Sequence, residues 1–325
     1  MTMIADVAHS SAAEQGFRID SPIAGRKLFL RRLPPRAPAA DGRRRAVLYV
    51  HGLSFPSALS IAYRFDGRSW ADPLTDAGFD VWALDFLVFG GSDRYAEMAL
   101  PPAQSAPLGR ADLGARQLEL AVRFILREQG LDRVSLLAHS WGTMVAGRLA
   151  GEHPDLIDRL ALFGPLTERP APERRVPPAL PGWRLLTAAE QYARFIEDVP
   201  AGEAPVLLRR HFDPWAREWL ASDPAAAERA PPAVANPLGP LADVTAAWHG
   251  QLAYDPARIR APVAILRGEW DSLSSDADAA WLGRALCQAA AVRDIKLPRG
   301  THLMHLEEGR ARLHTATLDV LLAGR

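Results

Sequence analysis

The sequence predicts an α/β fold in which helices cover both faces of a mostly parallel, doubly wound sheet. Short, continuously apolar runs recur along the chain and indicate strands that are buried on both faces. Longer amphipathic stretches separate these runs, and strand–helix alternation is typical of βαβ units. One long stretch, residues 165–250, lacks a strand pattern and predicts an inserted α-helical cap.

The predicted elements follow one another in regular order. Residues 27–33 are expected to add an antiparallel edge strand, and residues 34–45 to form an exposed loop. The core strands are expected at 46–50, 80–86, 134–138, 159–164, 262–268 and 292–298. The core helices are expected at 68–77, 114–129, 142–152, 275–288 and 306–322. This order assigns residues 1–164 and 251–325 to the core and residues 165–250 to the cap.

The predicted cap is rich in Pro and Ala and carries dispersed aromatic residues. Helical pieces are expected at 187–197, 203–211 and 214–221, and the Pro content of 224–240 indicates a loop. The basic cluster at 207–212 indicates a solvated helix face, with a site for a substrate carboxylate as the alternative.

Aromatic residues of the cap are candidates for lining an apolar substrate pocket. The candidates are Trp183, Phe195, Trp215 and Trp219. The alternative is that each of these side chains anchors cap helices to one another.

Composition excludes several classes of partner and site. The 38 Lys and Arg residues balance the 38 Asp and Glu residues, which argues against nucleic acid as the main partner. One cysteine, Cys287, cannot form an intramolecular disulfide or a thiolate metal site. No signal-peptide pattern and no uncharged run of ~18 residues are found, so a cytoplasmic location without a membrane partner is expected. Abundant alanine and only two lysines, Lys27 and Lys296, suggest a bacterial genome rich in GC.

Ser140 lies between a predicted buried strand and a predicted helix, in the pentapeptide Ala-His-Ser-Trp-Gly. A sharp turn there would expose the hydroxyl at the carboxyl end of the sheet, near a helix N-terminus that favours negative charge. The pentapeptide resembles the nucleophile elbow of the α/β-hydrolase family, with Ala138 where that family has glycine. The alternative is a serine that only caps the helix.

The resemblance implies a catalytic triad in the chain order Ser, acid, His. Asp271 follows the fifth core strand and His302 follows the sixth, so the candidate triad is Ser140, Asp271 and His302. A serine hydroxyl needs an adjacent base, and the base needs an orienting acid.

Other residues compete for the acid and base roles. Glu269 and Asp276 are alternative acids, and His305 is an alternative base, expected inside the last helix with its ring turned away. His139 is expected to be a packed histidine, and Asp85 to hold loops together.

The resemblance also implies an oxyanion hole made of two backbone N–H groups, those of Leu53 and Trp141. His51 and Gly52 would shape the loop that carries Leu53, because glycine allows close approach of the backbone. The alternative is a simple turn with a buried histidine.

The residue at the elbow, Ser140, limits which reactions of this family are expected. Haloalkane dehalogenases and epoxide hydrolases of this family use an aspartate nucleophile, so Ser140 argues against both. The resemblance implies a serine hydrolase that cleaves a small or medium acyl compound, with a carboxylic ester as the first expectation. Amides, N-terminal proline peptides, thioesters, lactones and C–C bonds are alternatives, and an alcohol or amine acceptor would make the protein an acyltransferase.

The expected partner is a small, partly apolar molecule, and no metal or organic cofactor is implied. A non-catalytic ligand-binding protein on the same fold is the alternative of a different class. The sequence leaves the oligomeric state open.

Overall fold

A computed structural model describes residues 14–170 and 179–323. The strands are β1 (Gln15–Asp20), β2 (Lys27–Leu33), β3 (Arg45–Val50), β4 (Phe79–Asp85), β5 (Val134–His139), β6 (Ile157–Phe163), β7 (Trp183–Thr187), β8 (Ala233–Pro237), β9 (Val263–Gly268) and β10 (Val292–Leu297). The helices are α1 (Ala71–Asp76), α2 (Ala111–Gln129), α3 (Trp141–Glu152), α4 (Ala188–Ile196), α5 (Arg209–Ala221), α6 (Gly239–Ala247), α7 (Asp276–Ala285) and α8 (Arg310–Leu322).

Eight strands form the central sheet in the order β1-β2-β4-β3-β5-β6-β9-β10. Strands β3 to β6, β9 and β10 pair in parallel, whereas β1–β2 and β2–β4 pair antiparallel. The predicted α/β fold is therefore confirmed. Residues 27–33 were expected to form the antiparallel edge strand. They do form an antiparallel strand, β2, but β1 occupies the edge and β2 lies between β1 and β4.

Alternate residues of the core strands pack into two apolar layers, one on each face of the sheet. On one face Leu48 and Leu136 pack with residues of α2 and α3, and on the other Tyr49 and Leu137 pack with residues of α1 and α8. This double burial explains why the core strands are continuously apolar in the sequence.

The described part of the segment between β6 and β9 contains three helices, α4, α5 and α6, and also two strands that the sequence did not predict. β7 and β8 pair antiparallel as a separate two-stranded sheet, and α6 follows β8 within the stretch expected to be a loop. Of the helices expected at 203–211 and 214–221, residues 203–208 are not helical, whereas Arg209–Ala221 form one helix, α5, which continues through Pro214. In the described residues, no helix combines the length and the apolar character needed to cross a bilayer.

Candidate active site

Ser140 occupies a strained corner between β5 and α3, with φ 56° and ψ −129°. A methyl group on Gly142 would lie 2.5 Å from the carbonyl oxygen of His51 and 2.6 Å from that of Val50. One on Gly52 would lie 2.9 Å from Cβ of Ser140. Glycines at these two positions thus let β3, the following loop and the serine turn come into direct contact.

Three residues from distant parts of the chain meet at this corner. Nε2 of His302 lies 2.7 Å from Oγ of Ser140, and Nδ1 of His302 lies 2.9 Å from Oδ2 of Asp271. Oδ1 of Asp271 also accepts hydrogen bonds from the backbone N–H groups of Leu273, at 2.9 Å, and Ser274, at 3.0 Å. These bonds hold the carboxylate in the orientation that faces the imidazole.

The three side chains are almost inaccessible to solvent. Ser140 is 8% exposed, Asp271 is 4% exposed and His302 is 2% exposed. Charges on these side chains therefore act in surroundings that contain little water.

Gly164, directly after β6, packs against the imidazole of His302 and the carboxylate of Asp271, and no sequence pattern singled it out. Its φ is +55°, and a methyl group there would lie 2.8 Å from Nδ1 of His302 and 3.1 Å from Oδ2 of Asp271. The glycine therefore leaves space for the hydrogen bond between these two side chains.

The competing acids have other partners. The carboxylate of Glu269 accepts a hydrogen bond from the N–H of Arg299 at 3.0 Å. Asp276 forms ion pairs with Arg267 and Lys296.

His305 lies in a short 3-10 turn before α8, not inside the last helix as the sequence predicted. Its ring is buried, stacks on Phe55 and meets His139 edge-on at 4.5 Å between ring centroids. His139 in turn stacks on Phe163, and its Nε2 lies 2.9 Å from the carbonyl oxygen of His302. Burial holds the pKa of both His139 and His305 well below the usual value, so both rings are neutral near pH 7.

The loop of residues 51–60, here called the 51–60 loop, runs beside Ser140. In the described parts of the chain, the N–H of Leu53 has no hydrogen-bond acceptor. Trp141 is the first residue of α3, so its N–H has no acceptor within the helix. His51 is buried, and its Nε2 accepts the N–H of Phe86 at 3.1 Å while its Nδ1 lies 2.7 Å from the carbonyl of Gly52.

Side chains of the cap hold the 51–60 loop at Ser54, which has φ 86°. Oγ of Ser54 accepts hydrogen bonds from Nε2 of Gln191 at 3.0 Å and from Nη2 of Arg194 at 3.3 Å. The carbonyl of Ser54 accepts one from Nε1 of Trp219 at 2.8 Å. These contacts fix the backbone directly after Leu53.

The sequence matches the family described as alpha/beta hydrolase fold over residues 45–309. The chain belongs to this family. Among curated relatives, a haloalkane dehalogenase of Mycolicibacterium paratuberculosis is 31% identical over 135 residues, which are 42% of this chain and 38% of the relative. The match thus spans less than half the length of that relative.

Solved structures share the alpha/beta hydrolase fold along nearly the whole chain. A thioesterase domain from the curacin biosynthetic pathway superposes with a TM-score of 0.60 at 18% identity, covering 94% of this chain and 99% of that domain. An esterase from Thermogutta terrifontis superposes with a TM-score of 0.55 at 18% identity, covering 94% of this chain and 98% of that one.

Three of the four aromatic residues predicted to line a pocket pack together in this alpha/beta hydrolase. Phe195, Trp215 and Trp219 are buried in one apolar cluster that also contains Leu303, the neighbour of His302. Trp183 lies on β7, outside that cluster, and its buried Nε1 has no partner among the described residues. Leu303 brings this cluster next to His302 in the chain, and pocket lining by the four aromatic residues stays a prediction.

Asp243 and Glu307 are two acidic residues near the alpha/beta hydrolase site that the sequence did not single out. Asp243 of α6 accepts hydrogen bonds from Nε1 of Trp141, at 2.9 Å, and from the N–H of Ala111, at 2.7 Å. It therefore ties Trp141, the residue after Ser140, to α6 and to the start of α2. Asp85, as predicted for it, joins loops by accepting the N–H groups of Ser57 and Gly91. Among the described residues, no group of three or more potential ligands could hold a metal ion.

Glu307, the other acidic residue near the site, is fully buried beside the turn that carries His302. Its carboxyl accepts hydrogen bonds from the hydroxyl and the N–H of Thr301. Burial raises the pKa of Glu307 to about 7, although the bonds from Thr301 oppose the shift, and the charge of Asp271 adds to it.

Glu307→Gln is expected to change how stability depends on pH. Because the folded-state pKa is raised, the native carboxyl binds a proton that the unfolded chain releases, and its contribution to stability falls as pH rises from about 5 to 7. Relative to the variant, the wild type should lose about 2 kcal/mol of unfolding free energy between about pH 5 and pH 8. Urea denaturation of both proteins at these two pH values measures the difference. A difference between the proteins that stays constant with pH would contradict the raised pKa.

Proposed function

We propose that the protein is a serine hydrolase that cleaves a carboxylic ester of a small or medium, partly apolar acyl compound. One observation carries the proposal, namely the chain of hydrogen bonds from Oγ of Ser140 through the imidazole of His302 to the carboxylate of Asp271. It supplies a nucleophile, a base and an orienting acid in the order that acyl transfer needs.

In the first half of the proposed reaction, Oγ of Ser140 attacks the ester carbonyl while Nε2 of His302 takes the hydroxyl proton. Asp271 holds the proton on Nδ1 and stabilises the imidazolium. The N–H groups of Leu53 and Trp141 would donate to the oxyanion, since neither has a hydrogen-bond acceptor among the described residues. His302 then gives its proton to the departing alcohol, and an acyl-enzyme on Ser140 is left.

In the second half, water attacks the acyl-enzyme as His302 takes one of its protons. The second tetrahedral intermediate collapses, the acid leaves, and the proton returns to Oγ of Ser140. The N-terminus of α3 favours the negative charge that develops next to Ser140.

The serine at the elbow argues against dehalogenation, although a haloalkane dehalogenase is among the relatives. Displacement of a halide by proteins of this fold uses an aspartate nucleophile, and the corresponding position here is Ser140. Thioester, lactone, amide and C–C substrates would use the same residues, so the acyl compound is to be found by a substrate panel. A non-catalytic ligand-binding protein is the rival proposal.

Mass spectrometry after treatment with a fluorophosphonate tests the proposal. We expect one adduct per chain on the wild type and none on Ser140→Ala, because only an activated hydroxyl reacts with this probe. Ser21→Ala, which removes a hydroxyl from the turn between β1 and β2, is the matched control and should keep the adduct. A folded wild type that forms no adduct and turns over no ester would favour the binding-protein alternative.

A further inference from the structure

Arg194 on α4 is a cation without an anionic partner beside the site. Its Nη2 donates to Oγ of Ser54 at 3.3 Å, and its buried Nε has no hydrogen-bond acceptor. In residues 14–170 and 179–323, no carboxylate forms an ion pair with it. A buried guanidinium N–H that lacks an acceptor costs free energy, so such groups are expected to be paired.

The position of Arg194 connects it with the reacting atoms. It contacts Ser54, the residue that follows Leu53, and a methyl group on Gly52 of the same loop would lie 2.9 Å from Cβ of Ser140. The positive charge of Arg194 is also close enough to help lower the pKa of His139, the neighbour of Ser140 in the chain. A substrate group held by Arg194 would thus belong to the molecule that Ser140 attacks.

A second orphaned polar atom lies on the same face of α4. Gln191 stands one turn before Arg194, and its buried Oε1 has no donor among the described residues, although its Nε2 binds Ser54. Two unsatisfied polar atoms on residues one turn apart on α4 indicate a place for a polar ligand group in otherwise apolar surroundings.

Other arginines of the cap differ from Arg194. Arg209 and Arg210, in the basic cluster that the sequence offered as an alternative carboxylate site, pair with Asp213 and Glu308. Burial lowers the pKa of Arg194 to about 10, while the charge of Glu197 opposes the shift without forming an ion pair. Arg194 therefore stays protonated at neutral pH and available to an anion.

We propose that Arg194 binds a carboxylate of the substrate, so that the natural substrate is an ester that also carries an acid group. This inference rests on the proposed serine hydrolase function and specifies its substrate class. A planar carboxylate can accept from Nε and a terminal nitrogen of the guanidinium together, which places the ester relative to Ser140.

Matched pairs of esters test this proposal. The first pair differs by a charge on the acyl side. It compares the mono-4-nitrophenyl ester of glutaric acid, which keeps one free carboxylate, with the 4-nitrophenyl ester of pentanoic acid, which has none. The second pair differs by a charge on the leaving group. It compares the acetate ester of 4-hydroxybenzoic acid, which carries a carboxylate, with the acetate ester of 4-methylphenol, which is neutral. We expect the wild type to show a higher kcat/KM for the acidic member of one pair, which identifies the side of the substrate that Arg194 binds.

Arg194→Met should lower this selectivity, the ratio of kcat/KM for acidic over neutral ester, by about 10- to 100-fold, the worth of a charge-assisted hydrogen bond. The loss should fall mainly on KM, and Arg194→Lys should restore part of the selectivity because it keeps the charge. Arg217→Met, which removes an exposed arginine from α5, is the matched control and should leave the ratio unchanged.

The outcomes separate the two proposals. If the wild type hydrolyses both members of each pair equally, or if Arg194→Met lowers kcat/KM for acidic and neutral esters alike, the carboxylate site is refuted while the serine hydrolase stands. If no ester is hydrolysed and the fluorophosphonate forms no adduct, the hydrolase itself is refuted. Thermal unfolding of Arg194→Met and Arg194→Lys checks that loss of the contact with Ser54 has not unfolded the cap.

Discussion

Asp271→Asn is expected to lower kcat by about 10⁴-fold while leaving the fold intact. The carboxylate faces Nδ1 of His302 at 2.9 Å and is held by the N–H groups of Leu273 and Ser274. An amide at this place can turn its NH₂ group toward the ring, which then carries its proton on Nε2 and cannot accept the one from Ser140. The measurement is kcat on the best ester of the panel, with circular dichroism to verify folding.

Glu269→Gln is the matched control for this substitution. It removes a carboxylate two residues earlier, on a side chain whose bond to Arg299 has no part in the triad, and kcat should remain within about twofold of the wild type. If Glu269→Gln reduced turnover as strongly as Asp271→Asn, the assignment of the acid would be wrong.

Gly142→Ala is expected to destabilise the protein by about 3 kcal/mol. The added methyl group would lie 2.5 Å and 2.6 Å from two carbonyl oxygens of the β3 end and the following residue. These are backbone atoms, so α3 or β3 must shift, and no side-chain rotation can relieve the contact. Equilibrium unfolding in urea measures the loss, and the adduct with the fluorophosphonate should form more slowly because the shift moves Ser140.

Gly283→Ala is the matched control, because it adds the same methyl group inside α7 where nothing lies within 4 Å. Alanine is the better helix former, so this variant should be more stable than the wild type by about 0.5–1 kcal/mol. Equal stability of Gly142→Ala and wild type would mean that the elbow has more space than the structure gives it.

The core of the fold was predictable because the carboxyl ends of parallel strands meet at one edge of the sheet. Asp271 and His302 each follow such a strand, so their positions in the sequence already indicated where they would lie in space. β1 was missed although Phe17 and Ile19 alternate with charged residues, which is the usual pattern of an edge strand.

The cap was less predictable because tertiary packing decides its elements. Separate helices were expected at 203–211 and 214–221, but α5 continues through Pro214 while Trp215 and Trp219 pack into the buried aromatic cluster. Pro240 suggested a loop, yet a proline in the first turn of α6 is compatible with a helix start.

Two residues near the site, Arg194 and Glu307, could not be singled out from the sequence. Arg194 is unusual because its guanidinium is buried without an anion, and Glu307 because its carboxyl is buried beside Thr301. Both properties depend on what surrounds the side chain, which a single sequence does not record.

The attachment of the 51–60 loop to the cap limits how this protein can be re-engineered. Exchanging the cap for that of another family member is an obvious way to alter substrate preference. Such a chimera would leave the hydroxyl and carbonyl of Ser54 and the carbonyl of Leu59 without the donors they now receive from Gln191, Arg194, Trp219 and Trp215. A transplanted cap must therefore bring replacements for these four donors, or the recipient loop must be redesigned with it, since the two parts form one functional module.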